Sequence, residues 1–156
     1  KGEDLYRRGM YTFIKLTLPP PGMALFDASN RDKCEVKRSK TNTPLQALIM
    51  MNDPTVLEAS RVLAQQLMVE QLTTEEKIKK AFRLIICRKA STKEKEILTA
   101  YFKEQLQLFQ QKKLDATATV KVGEYPAKQI ADTNSLAALM KTINTIYNME
   151  EAITKS

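Results

Sequence analysis

Three sets of side chains carry groups whose type and placement could do chemistry. Arg7, Arg8, Asp27, Arg31, Arg38, Asn42 and Gln46 cluster in the first third of the chain, around an apolar segment and the polar stretch leading into it. They could line a ligand pocket. Equally, guanidinium forks paired with Asp27 and backbone carbonyls would pin an irregular approach loop onto neighbouring helices, since buried polar groups need partners. The second set is the run Lys77–Lys95, with eight basic residues and one acid. It suits either an anionic ligand, such as nucleic acid or an acidic polysaccharide, or the solvated face of an amphipathic helix. Asp27 with Glu35, and Glu150 with Glu151, form the third set, as general acid and base pairs, but no nucleophile or metal-binding cluster lies near them in sequence.

What is missing narrows the chemistry further. The 156 residues contain no histidine, which removes a Ser-His-Asp or Cys-His nucleophilic site and any histidine-held zinc or haem from within this chain. Cys34 and Cys87 are too few for a four-cysteine metal site and too widely separated for a CxxC redox pair. They either pair as a disulfide in an oxidising compartment or stand as separate thiols. Met50, Met51, Met68 and Met140 could be soft ligands, but they fall at apolar helical positions where methionine fills core gaps.

The net charge of +7 is uneven: +4 over residues 1 to 40, −4 over 41 to 76, +7 over 77 to 95, and zero beyond. A nucleic-acid partner draws little support from this, because tryptophan is absent and Tyr101, Phe102 and Phe109 lie on an expected core side. With 43% hydrophobic and 28% charged residues, the composition is that of a globular domain able to bury a core without a metal or disulfide scaffold. No apolar run is long enough to span a membrane, and the first thirty residues lack the order of a signal peptide.

The elements that must position these groups are helical. Tyr6, Met10, Phe13 and Ile14 predict a helix over 4 to 17 that Pro19, Pro20 and Pro21 end. Thr43 and Pro44 open a short helix whose residues Leu45, Ala47, Leu48, Ile49, Met50 and Met51 leave no polar face, which predicts a buried, central position. Asn52, Asp53 and Pro54 repeat the start signal for a helix striped by Val56, Ser60, Leu63, Ala64 and Leu67. Thr73 with Glu76, and Ser91 with Glu94, are capping boxes. The first opens a helix with Ile78, Ala81, Phe82 and Ile85 inward; the second opens one reaching about Lys113, with Ile97, Tyr101, Leu108 and Phe109 on its stripe. Residues 115 to 134, with Gly123 and Pro126, read as a long connection in which Thr119–Val122 is a candidate short strand. Leu136, Leu139, Met140, Ile143 and Tyr147 restore helical spacing, and Asn148 is placed to cap a final turn ending near Thr154. The fold expected is all-α: one domain over 1 to 156, an irregular bundle of five to six helices with a long loop before the last.

One order of residues is recognisable. Tyr6 to Leu18 is followed by three prolines, then Leu25, Phe26, Asp27, Arg31, Cys34, Val36 and Arg38, leading into Thr41-Asn42-Thr43-Pro44-Leu45-Gln46-Ala47-Leu48 and Asn52-Asp53-Pro54. This resembles the PSD family, a planctomycete-type domain of unknown function. The likeness extends over nearly the whole chain, is strongest from Thr41 to Pro54, and is looser at Ala81–Leu84 and Leu136–Ile153. The resemblance implies the C-terminal module of a larger exported protein, periplasmic or in the cell envelope, whose earlier part includes a cytochrome-c-type haem module. The haem belongs to that upstream module, since no CxxCH occurs here; no cofactor is expected in this chain. Cys87 stands where the family usually has glycine after a helix, so either it accepts a positive φ or the helix ends differently. The expected role is non-catalytic packing on, or binding to, upstream domains of the same polypeptide. The alternative is a module for an anionic ligand.

Overall fold

Helices in this chain begin where a side chain can accept from backbone N–H groups that the helix itself leaves unpaired. The computed structural model describes residues 2–7, 13, 20–28, 36–37, 41–128 and 130–153. Among these, a 3-10 turn at Gly2–Tyr6 is followed by α1 (Pro21–Leu25), α2 (Pro44–Asn52), α3 (Pro54–Val69), α4 (Thr74–Ile86), α5 (Thr92–Gln110), α6 (Ala116–Val120), α7 (Thr133–Tyr147) and α8 (Glu150–Ile153). No strand occurs among the described residues, and the protein is all-α.

The capping residues act as their types dictate. Thr43 Oγ1 accepts from Gln46 N at 3.3 Å while Gln46 Oε1 accepts from Thr43 N at 3.1 Å, a reciprocal box that starts α2 with Pro44 in its first turn. Asp53 Oδ1 accepts from Thr55 N and Val56 N, which turns the chain out of α2 directly into α3. The two boxes at Thr73/Glu76 and Ser91/Glu94 form as their spacing requires. Asp115 and Asp132 cap α6 and α7.

The centre of the fold is α7, which touches α2, α3, α4, α5, α6 and α8. Its run Leu136-Ala137-Ala138-Leu139-Met140 is buried around the whole circumference, as are Ile143 and Ile146. Small residues at 137 and 138 let neighbouring helices approach closely, while the larger ones fill the space between them. Against this rod pack Ala64 and Leu67 of α3, Ile78, Ala81 and Phe82 of α4, and Leu98, Phe102 and Phe109 of α5.

Several sequence-based expectations change here. The apolar α2 is not central: Leu45, Leu48 and Met51 are about half exposed, and Gln46 is its buried residue. A helix of nine residues that is apolar all round has no preferred face, and its position is decided by what the rest of the chain leaves free. On α5 Phe102 and Phe109 are buried as expected and Tyr101 and Leu108 are half-buried, but at the start of the helix Leu98 turns inward and Ile97 is 67% exposed. Thr119–Val122 is no strand: Asp115 Oδ1 accepts from Ala118 N, and the short helix α6 forms instead. Of the helix expected over 4 to 17, residues 4 to 6 belong to the 3-10 turn Gly2–Tyr6, and 8–12 and 14–17 lie outside the described residues. Pro21 is the first residue of α1, so the proline run opens a helix, while the helix end expected before it lies outside the described residues. Asn148 closes α7 at its C-terminus, with Asn148 N donating to Asn144 O. Of the four methionines assigned to packing, Met140 is fully buried and Met51 is 50% exposed.

Candidate functional site

The residues singled out from sequence fall into separate places. Arg8, Arg31 and Arg38 lie outside the described residues, as do Cys34 and Glu35. Arg7 is exposed and pairs with Asp4 at 3.1 Å. Asn42 is exposed. Asp27 and Gln46, by contrast, are brought together. Asp27 has a φ of 54°, a left-handed conformation that aspartate tolerates better than most residues. Its Oδ2 accepts from both the backbone N–H and the hydroxyl of Thr41, at 2.6 and 2.8 Å. Gln46 Nε2 donates to Leu25 O at 2.6 Å and to Thr41 Oγ1 at 3.1 Å, while its oxygen serves the α2 cap. One glutamine and one aspartate thereby tie the end of α1 to the start of α2. Every polar atom named in this knot is spent on the chain itself.

A second polar constellation was not found from the sequence. Glu58, Arg61 and Gln65 occupy one face of α3 at spacings of three and four, and all are buried. Arg61, 1% exposed, donates through Nε to Val122 O at 3.0 Å, through Nη2 to Tyr125 O at 2.6 Å and through Nη1 to Gln65 Oε1 at 3.2 Å. Gln65 Nε2 donates onward to Lys128 O. Glu58 Oε1 lies 3.6 Å from the guanidinium and accepts from Tyr125 N and from the Tyr6 hydroxyl. Loss of solvent and the adjacent Glu58 carboxylate raise the Tyr6 phenol above its ordinary range. Gly123, at φ 86°, passes so close to Glu58 that a Cβ there would overlap its side chain. The segment 121 to 128 is therefore held by side chains reaching its carbonyls, with no regular element of its own. The available signal was that Arg61 is the one basic residue between 41 and 76, in a helix otherwise striped with apolar residues.

The basic run divides in two. Arg88 is a clamp: its fork binds Glu94 of α5 at 2.6 and 3.0 Å and Glu151 of α8 at 2.7 Å twice, and its guanidinium lies 5.0 Å from the Phe82 ring centre. The pairing raises the Arg88 pKa further, holds Glu94 down at about 2 and lowers Glu151. Glu151 is thus committed to an ion pair instead of acid-base work with Glu150. Five of the remaining cations border a groove of about 630 Å³ formed by the turn before α4, α4 itself, the turn after it and the start of α5. Leu72, Leu84 and Ala90 contribute its apolar surface, and Lys79, Lys80, Arg83, Lys89 and Lys95 stand around it.

Cys87 resolves the question posed by its position. It closes α4 in the left-handed conformation, φ 63° and ψ 12°, with its N–H donating to Arg83 O. The thiol is exposed and free. Among the described residues no group of three or more His, Cys, Asp or Glu side chains is placed to hold a metal, and no helix is long and apolar enough to cross a membrane.

No curated protein and no solved structure matches this chain. A family model does match residues 1–102, from the 3-10 turn to the middle of α5, which leaves α6 to α8 and the central α7 beyond the matched stretch. The Thr41–Pro54 signature, the two capping boxes and the left-handed turn at Cys87 all lie inside it, and the chain belongs to PSD1, the family described as protein of unknown function (DUF1553).

Proposed function

We propose that the chain is a non-catalytic C-terminal module of a larger exported polypeptide, periplasmic or in the cell envelope, which packs on the upstream, cytochrome-c-associated part of that polypeptide. The observation that carries this reading is the ridge on α2. Leu45, Leu48 and Met51 recur every three residues on a helix with no charged side chain before its end, and each is about half exposed. A face of this kind loses free energy in water and gains it against a neighbour. The non-catalytic part draws support from the way polar groups are used. Asp27, Gln46, Glu58 and Arg61 satisfy backbone and side-chain partners within the chain, and Glu94 and Glu151 are both paired with Arg88.

The test is association of the purified chain with the separately produced upstream part, measured by calorimetry. Leu45→Asp/Leu48→Asp should weaken binding at least about tenfold while leaving the helical content intact. Absence of affinity, together with a parent protein unaffected in folding and activity when the module is deleted, would refute the reading.

A further inference from the structure

The groove beside α4 combines two properties that a merely solvated basic face does not require. Its exposed lining is predominantly apolar, and Leu84 stands 57% exposed within it. Five cations surround that surface, against one acid, Glu76. Glu76 is already engaged, accepting from Thr73 N at 2.9 Å and Thr73 Oγ1 at 2.7 Å. Two of the cations have partners: Lys80 binds Glu70 at 2.6 Å, and Lys79 lies 3.9 Å from Glu75. Arg83, Lys89 and Lys95 make no side-chain ion pair among the described residues. A concavity of about 630 Å³ lies within the range of small-molecule sites. It is too localised to follow a polymer backbone, since its lining is nine residues from two helices and the turns beside them.

We propose that this groove binds a monomeric anionic amphiphile, a single alkyl or acyl chain ending in a carboxylate, sulfate or phosphate. The chain lies against Leu72, Leu84 and Ala90, and the anionic head meets Arg83, Lys89 and Lys95. Charge complementarity selects the head, and the methylene stems of the lysines extend the apolar wall for the tail. This site is separate from the α2 ridge, so its failure leaves the packing role standing, and the reverse.

The experiment titrates the purified chain with octyl and decyl sulfate below their micellar concentrations, with decanol, inorganic sulfate and an acidic peptide as comparisons. Expected are one-to-one binding of decyl sulfate, about fourfold tightening per added methylene, and binding of decanol and of inorganic sulfate at least about tenfold weaker. Arg83→Gln/Lys89→Gln/Lys95→Gln should weaken decyl sulfate at least about tenfold, whereas Lys113→Gln/Lys121→Gln/Lys128→Gln, with the same change of charge, should not. Leu84→Asn should remove most of the chain-length dependence with the helical content unchanged. The proposal is overturned if decanol binds as well as decyl sulfate, if inorganic sulfate does, if the two triple variants behave alike, or if Leu84→Asn leaves the chain-length dependence intact. It is equally overturned if the acidic peptide binds where decyl sulfate does not.

Discussion

Single residues in this chain reveal their role through backbone conformation and burial. Cys87 occupies a left-handed position at φ 63°, which costs a residue with a Cβ roughly 1 kcal/mol that glycine avoids. Cys87→Gly should therefore raise stability by up to about 1 kcal/mol, and Cys87→Ala should not; urea denaturation separates the two. Gly123 has the opposite constraint, because positive φ coincides with close approach to Glu58. Gly123→Ala should destabilise by about 1–3 kcal/mol, visible as a lowered urea midpoint. Arg61 holds the segment 121 to 128 through two donors, to Val122 O and Tyr125 O, and braces Gln65 with a third. Arg61→Ala leaves Glu58 buried without its cation and should destabilise by about 3–5 kcal/mol. Arg61→Met combined with Glu58→Gln should recover part of that loss. Hydrogen exchange at 122 to 128 should quicken in both variants, since the carbonyls lose their donors either way.

At the scale of elements, capping side chains and ion pairs decide where helices start and how their ends are joined. Arg88 joins the turn after α4 to the first turn of α5 and to α8. Because Glu94 is held at about 2 in the folded chain, below its value in an unfolded one, the unfolded state binds a proton first as pH falls. Its contribution is fully present above about pH 5 and is lost progressively as pH falls toward 2. Glu151 and Glu76, both also lowered, act in the same direction. Thermal melting from pH 7 to 2 should show this decline, and Glu94→Gln should flatten it while lowering the melting temperature at pH 7.

For the whole molecule, the decisive fact is which apolar helix is inside. Leu139 on α7 is 1% exposed and Leu48 on α2 is 57% exposed. Leu139→Ala should cost about 2–5 kcal/mol through lost burial and the cavity left behind, and Leu48→Ala should stay within about 0.5 kcal/mol. Equal costs in chemical denaturation would mean that α2 is covered in the isolated chain, which would remove the basis for the docking ridge.

Local rules settled much of this protein before any packing was known. Threonine, serine or aspartate followed by the right partner satisfies orphan N–H groups at a helix start, so the starts at Thr43, Asp53, Thr73 and Ser91 were legible, as was the helical class. At Cys87 the sequence left open a positive φ or a different helix end, and the structure shows the left-handed turn. Tertiary structure alone decided that α7 displaces α2 from the centre, that α5 turns Leu98 inward in place of Ile97, and that Glu58, Arg61 and Gln65 hold residues 121 to 128. Capping is read within four residues, whereas burial and the pairing of Arg61 with carbonyls more than sixty positions away depend on how distant segments meet. Periodicity states which residues want to be dry; only the competition among helices for one interior states which of them are.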